Sequence, residues 1–396
     1  MIYTEILFWI SLFIIFYSYL GYGILLYGLI KMKKAGPPFS NLPLVADNLP
    51  EVTLFVSAYN ESDIIADKVK NSKNLNYPQE KIRHIWITDG SNDGSPDLLR
   101  NIEGIEVYHQ PERKGKIAAM NRGMQFVKTP IVIFSDANTF LAEDSILRIV
   151  SLFRDPKVGC VSGEKRIFSS DSDTASASGE GIYWKYESLL KKWDSSLYSV
   201  VGAAGELFAI RTSLWQEVEP DTLLDDFVIS LRVAMKGYTI KYDPEAYAIE
   251  SASKDTKEEL KRKIRISAGG IQAIIRLKPL LNIFKYGILS FQYISHRVLR
   301  WMVSPFLLLL IIPLNFLLFR NENTAGVYTL LWYGQLGFYL LVLTGWALRT
   351  RQTRIKGLFV PFYFFMMNYS VYLGLIRYLK GSQSVVWEKA KRKNAS

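Results

Sequence analysis

Val52-Thr53-Leu54-Phe55-Val56-Ser57-Ala58-Tyr59-Asn60-Glu61 decides the fold of this chain. An apolar run rich in strand formers, Val52 to Ser57, breaks off at a polar turn. The pattern recurs downstream. Ile82 to Thr88 ends in Asp89-Gly90-Ser91-Asn92-Asp93-Gly94, and Ile131 to Ser135 ends in Asp136-Ala137-Asn138-Thr139. Ile105 to Tyr108 and Val158 to Ser162 are two further runs, and helix-like stretches such as Lys116 to Val127 and Ser145 to Phe153 lie between them. Strands alternating with helices imply an α/β domain with a mostly parallel sheet covered on both faces. Ligands of such sheets bind at the carboxyl ends of the strands, so the polar turns are the place to look for chemistry.

Taken singly, each turn has an ordinary explanation, because Asp, Asn, Gly and Ser are the usual residues of turns and helix caps. Three of them at successive strand ends line one crevice with oxygen ligands suited to a hard cation and a nucleotide. Between the second and fourth strands lies Arg113-Lys114-Gly115-Lys116-Ile117-Ala118-Ala119-Met120-Asn121. Its glycine admits a ligand close to the backbone, and Lys116 opens a helix whose amino end favours anions. The spacing is not that of a P-loop, and no Gly-x-Gly-x-x-Gly follows the first strand, which disfavours NTPases and dinucleotide dehydrogenases.

These motifs, in this order, resemble those of family-2 glycosyltransferases, whose nucleotide-sugar-binding fold is called GT-A. Farther on, Gly202-Ala203-Ala204-Gly205 with Arg211 is similar to the family's acceptor-side motif, and Leu224-Asp225-Asp226 with Gly237-Tyr238 to its catalytic-base motif. The resemblance runs from about Val52 to Gly270, and the layout around it is similar to that of hyaluronan, chitin-oligosaccharide and poly-N-acetylglucosamine synthases. It implies that Tyr59, Glu61, Asp89 and Lys116 hold the nucleotide. Asp136, with Asn138 where the family often has a second Asp, would sit at the diphosphate and a Mg²⁺ or Mn²⁺ ion. Gly202, Ala203, Ala204 and Gly205 would face the acceptor, Asp226 would be the general base, and Asp225 stands where the family has Glu. Arg262 to Gly269 occupies the place of a Gln-Gln/Arg-x-Arg-Trp segment. There Arg265 and Lys263 would clamp the diphosphate, and Ile266 replaces the Trp. An amide oxygen is a poorer ligand for a hard cation than a carboxylate, and loss of the Trp argues against processive polymerisation.

The implied reaction is inverting transfer from a nucleotide-sugar, UDP-linked by the resemblance, to a growing cell-surface glycan. The alternative is a non-processive enzyme adding one sugar to a lipid-linked acceptor. A transporter with a nucleotide-binding domain, from another class, has no use for an acid at Asp226. A hydrolase would need paired carboxylates flanking the scissile bond. The aromatics of Ser176 to Trp193, namely Tyr183, Trp184, Tyr186 and Trp193, read either as a wall for sugar rings or as packing.

The chain is 49% hydrophobic, and Ile6 to Ile30 carries no formal charge, enough residues to cross a bilayer. Glu5 precedes that segment and Lys31, Lys33 and Lys34 follow it, which fits an anchor rather than a signal peptide. Trp301 to Phe319, Val327 to Leu348 and Leu358 to Leu379 are three further candidate spans. This divides the chain into an anchor (1–35), a linker (36–50), a catalytic domain (51–252), interfacial amphipathic helices (253–298), transmembrane helices (299–380) and a basic tail (381–396). The lysines after the anchor and Arg349, Arg351, Arg354 and Lys356 put the domain and the last loop in the cytoplasm of a multi-pass inner or plasma membrane protein. Three later spans leave the tail outside, with Lys389, Lys391, Arg392 and Lys393 against the usual bias, unless the last segment does not cross. The net charge of +11 gathers beside membrane segments, so lipid or phosphorylated substrate, not nucleic acid, is the expected partner. So few helices imply a partner subunit or a homo-oligomer if a polymer is exported. The lone Cys160, in an apolar run, reads as a buried structural thiol.

Overall fold

The computed structural model describes residues 2–33, 48–168, 175–251, 256–321, 325–348 and 359–381. Residues 36–47 of the expected linker, the cationic loop at 349–358 and the tail with Trp387 lie outside the described residues.

Eight strands form one sheet: β1 (Val52–Ala58), β2 (Ile82–Asp89), β3 (Ile105–Gln110), β4 (Ile131–Asp136), β5 (Thr139–Leu141), β6 (Val158–Phe168), β7 (Leu207–Arg211) and β8 (Thr239–Ser251). Their order is β3-β2-β1-β4-β7-β6-β8-β5. The first four in that order run parallel, as do β6 and β8, so four of the seven pairings are parallel. β7 lies antiparallel between β4 and β6, and β5 antiparallel to β8.

Every residue of β1 is buried, because both faces of the sheet are covered. The side chains alternate with period two. Phe55 joins Ile85, Ile87, Val132 and Phe134 in one core, whereas Leu54 and Val56 join Trp86, Ile131 and Ile133 in the other. Among the described residues the longer helices are α1 (Ile2–Met32), α2 (Ile65–Lys73), α3 (Lys116–Gly123), α4 (Ser145–Leu152), α5 (Ala175–Leu197), α6 (Asp225–Met235), α7 (Thr256–Arg276), α8 (Ile288–Phe319), α9 (Ala325–Leu348) and α10 (Phe359–Leu379). Of these, α3 and α6 fill the first core and α2 and α4 the second. Gly123 sets how closely α3 approaches the sheet. A Cβ there would lie 2.4 Å from the Phe55 ring.

Two strands run past or outside the apolar signals for a physical reason. β6 continues through Glu164, Lys165 and Arg166 because Lys165 is buried between Glu206 and Glu250. β8 contains Pro244 and alternating polar residues, which argue against a strand. Its Tyr242 hydroxyl donates to Glu164 at 2.5 Å, so these polar groups satisfy one another inside the sheet.

α1, α8, the described residues of α9 from Gly326, and α10 are long and apolar enough to cross a membrane. α8 begins at Ile288, ahead of the expected Trp301, and opens into a π-helix over Ile294–Val303. That segment faces the soluble domain. Asp194 of α5 accepts from the Tyr22 hydroxyl and from Gln292 Nε2 (3.0 Å), and pairs with His296 Nδ1 at 2.6 Å. Glu187, about two turns earlier on the same face of α5, pairs with Arg297 and Arg300. α7 packs along α10, where a Cβ on Gly374 would sit 2.7 Å from that of Ser267.

Candidate active site

The parallel register brings the expected turns to one edge. Ser57 of β1 stands beside Ile87 and Asp136, so the chain leaves β1, β2 and β4 at adjacent points. Asp89 Oδ2 accepts two backbone N–H groups of the following loop, from Lys114 (2.9 Å) and Gly115 (2.6 Å). Its Oδ1 is buried and has no hydrogen-bond partner among the described residues. Burial raises the Asp89 carboxyl, and those two amides and nearby arginines offset part of the rise. Gly90 (φ +68°) must be glycine, since a Cβ would meet that of Arg113 at 2.5 Å. The Arg113 guanidinium lies 3.6 Å over the Tyr59 ring, closing a small cavity that Asp89, Tyr59 and Lys116 share. Glu61 is buried in the turn after β1, where its backbone N–H donates to Ser95 Oγ (3.1 Å), and it lines neither this cavity nor the larger one below.

Lys116, first residue of α3, reaches across the edge. Its Nζ lies 2.8 Å from Asp136 Oδ1 and 3.2 Å from Asp225 Oδ2. Burial pushes the Asp136 carboxyl up; Lys116 lowers it, and Glu206 and Asp225 add to the rise. The turn carrying Asp136 and the half-buried Asn138 is braced from below by Lys68. The wholly buried Nζ of Lys68 donates to Ser135 Oγ (2.8 Å) and to the Thr139 carbonyl (2.6 Å). Burial draws that ammonium down to about 7.

Asp225 and Asp226 open α6, where acids sit favourably at the positive end of the helix. The loop Gly202 to Gly205 folds against this turn. Ala203 N–H donates to Ser230 Oγ (3.0 Å), which donates in turn to the Asp226 carbonyl (2.6 Å). A Cβ on Gly205 would lie 3.3 Å from Asp226 Oδ2, so the glycine keeps the face of that carboxylate open. Burial, then the charge of Asp225, pushes the Asp226 carboxyl up to about 7.

Asp226 stands at the wall of a cavity of about 600 Å³ between the sheet edge and the membrane helices. Tyr183, Trp184 and Tyr186 of α5 line it, and Ile266 faces it from α7, whereas Trp193 packs on Tyr27 instead. Six cations also line it. Lys165 pairs with Glu206 (2.5 Å) and Glu250, and Lys191 lies 3.8 Å from Glu164. Arg262 and Lys263 pair with Glu259 at 2.9 and 3.4 Å, and Arg297 and Arg300 with Glu187. Lys263 also lies 5.2 Å from the Trp184 ring centre. Arg265 is half-buried on α7 and does not line the cavity. Arg211 lies at the opposite end of β7, where it donates to the carbonyls of Phe153, Asp155 and Val158.

Several residues that line this cavity carry no motif. Glu206 directly follows the small-residue loop, and an acid ending such a loop just before a buried strand is the only trace it leaves in the sequence. Glu187, Arg297 and Arg300 come from segments about a hundred positions apart, which no local pattern connects.

Residues 53–217 match the family model for glycosyl transferase family 2. Poly-beta-1,6-N-acetyl-D-glucosamine synthase of Staphylococcus aureus (strain MSSA476) is 28% identical over 240 residues, covering 58% of this chain and 57% of that protein. The synthase of the same name from Staphylococcus epidermidis (strain ATCC 35984) is 26% identical over 311 residues, 74% of this chain and 73% of that protein. The chain thus spans little more than half the length of the first of these relatives. Among solved structures, the mannosyltransferase PcManGT from Pyrobaculum calidifontis, in complex with GDP-Man and Mn2+, shares the fold. Its TM-score is 0.69 at 20% identity, over 95% of this chain and 100% of that one.

Proposed function

Residues 53–217 make this chain a member of glycosyl transferase family 2, and from that premise we propose that it extends a polysaccharide, transferring a sugar with inversion from a UDP-sugar. One observation carries the reading. Asp226 faces a large cavity beside a cluster in which Lys116 ties together Asp136 and Asp225. An acceptor hydroxyl is a poor nucleophile until a placed carboxylate takes its proton, and Asp226 is open to the cavity for that role. A single base and one in-line displacement invert the anomeric centre.

The orphaned, buried Asp89 Oδ1 supports recognition of a base with an N–H to donate, such as the imide of uracil. Tyr59 offers that base a ring face once Arg113 shifts. The residues also fit a divalent cation. Lys116 takes one oxygen of Asp136, a positive group already standing where leaving-group charge builds, and no hydrogen bond to the other oxygen is recorded among the described residues. Mg²⁺ uses one or two carboxylates plus substrate phosphates rather than a protein cage. When bound, Mg²⁺ or Mn²⁺ neutralises charge on the departing diphosphate. Asp136 would hold it. The lysines that follow α1 support a cytoplasmic domain, by the bias of cationic flanks toward that side.

The test is the purified full chain in lipid nanodiscs with UDP-N-acetylglucosamine, the donor that the relatives' names suggest, and a β-1,6-linked N-acetylglucosamine oligomer. UDP release with a β-configured product by NMR is the expected result. An α-configured product would remove inversion, and preference for GDP-mannose would remove the UDP donor.

A further inference from the structure

Where the chain passes from the soluble domain into α8, it presents an apolar surface that the fold itself holds in place. The segment runs from Arg276, which closes α7, to Ile288, which opens α8. Its inward side joins the first core through the buried Leu277, Leu280 and Leu289. Asn282 Oδ1 accepts from the backbone N–H groups of Phe284 (3.1 Å) and Lys285 (3.2 Å), and Ser290 Oγ donates to the Leu280 carbonyl at 2.6 Å. Gly287, at φ +53°, then turns the chain into α8 through a conformation that favours glycine. The outward side carries Leu281, Ile283, Phe284 and Ile288, with Ile275 shortly before them, all exposed. Phe284 is 99% exposed. Single apolar side chains at a surface are ordinary, but a run of them on a pinned turn marks a contact surface.

Depth and charge say what covers it. α1 and α8 run antiparallel: Phe8 packs with Ile311, Leu314 and Leu318, Ser304 Oγ donates to Ser18 Oγ at 2.8 Å, and the Tyr22 and Phe291 rings lie 6.1 Å apart. The turn therefore leaves this pair at the same end as Lys31 and Lys33, beyond the exposed Ile24, Leu25 and Tyr27 of α1. Cationic flanks of this kind mark where a span passes through the headgroups. From Leu260 to Asn321 the sequence contains no Asp or Glu, and the exposed Lys278 and Lys285 bracket the apolar residues. Asp221, which lies against this end of α7, is held by Arg276 at 2.5 Å. Apolar side chains among lysines at the edge of a bilayer are the arrangement that binds an anionic membrane surface. We infer that the turn 278–288 is a lipid-seating element. Phe284 inserts among the acyl chains, and Lys278 and Lys285 rest on anionic headgroups of the leaflet that faces the soluble domain. The inference rests on α1 and α8 crossing the bilayer and is independent of the sugar transferred.

Fluorescence of the full chain in nanodiscs tests this. Leu281→Cys carrying the environment-sensitive dye NBD reports on the turn, and Lys128→Cys, exposed on the soluble domain, is the control. The buried Cys160 leaves the dye a single site of attachment. In phosphatidylcholine discs containing phosphatidylglycerol, the dye at 281 should emit at shorter wavelength and be quenched by lipid with a nitroxide high on its acyl chain. The dye at 128 should do neither. Phe284→Asp in the labelled chain should reverse both effects without moving the melting temperature, since that side chain is not packed in the fold. Lys278→Gln with Lys285→Gln should remove the gain given by phosphatidylglycerol, about fivefold per lysine in the ratio of inserted to free turn. Water-like emission at 281, or quenching that survives Phe284→Asp, would overturn the insertion. Equal quenching with and without phosphatidylglycerol would overturn the anionic headgroup. A shift to shorter wavelength without nitroxide quenching would put a second copy of the chain over the turn instead of lipid, and sink the inference.

Discussion

At the residue scale the chemistry rests on unlike environments for neighbouring carboxylates. Asp225 lies against Lys116, whereas Asp226 is buried, adjoins Asp225 and is raised to about 7. A base acts only when ionised, so kcat/KM should climb as pH rises through about 7 and level off above it. Asp225→Asn removes the like charge and should move that limb to lower pH, which a rate profile measures. Asp226→Asn should cut turnover about 10²-fold or more with donor affinity nearly intact, because only proton removal is lost. Near-normal turnover would reject Asp226 as the base. The places of Asp89, Lys116, Asp136 and Asp226 were legible in the sequence because each begins or ends an element, where polar residues stand out from apolar runs. Glu206 was not. Its partner Lys165 lies on β6 and the second carboxylate on that lysine, Glu250, on β8, and only the sheet reveals that three charged residues share one site.

At the element scale, the site depends on how closely α3 rides on the sheet. Lys116 is at its first turn and Gly123 at its last, so tilting one end moves the other. Gly123→Ala places a methyl 2.4 Å from the Phe55 ring, and overpacking of this kind costs about 1–3 kcal/mol. The variant should melt earlier and lose activity together. Phe55→Leu in the same chain removes the ring from that contact, leaving Ile87 Cγ1 at 2.6 Å, and the double mutant should recover part of both losses, a coupling that independent sites do not show. Strict additivity in a thermal-melt and rate cycle would mean that α3 is held by something else. The parallel half of the sheet was legible because each of its strands carries an apolar run, even where β2 and β3 include Arg83, His84 and Glu106. In the other half only the start of β6, Val158 to Ser162, was legible, because farther on β6 and β8 bury charges against one another, which alternating hydrophobicity reports as surface.

At the scale of the whole molecule, the soluble domain and the membrane helices meet through buried charge. Removing one partner of such a pair costs about 3–5 kcal/mol because it strands the other. Glu187→Ala, which strands Arg297 and Arg300, should therefore lower the melting temperature of the full chain more than any exposed charge change. We propose that the domain faces the cytoplasm, on the ground that Lys31 and Lys33 follow α1 and cationic flanks favour that side. The chain carries a natural advantage for testing this. Its only cysteine, Cys160, is buried in the sheet, and burial pushes its thiol up, so it stays unreactive. A cysteine at the exposed Lys128 should then resist an impermeant maleimide in intact cells and react once they are opened. A cysteine at Asn321, just beyond α8, should react from outside, because one crossing separates it from the domain. Labelling of both positions in intact cells would mean that α8 does not cross. Labelling of the Lys128 position alone would invert the protein and remove the site from the compartment that supplies its donor.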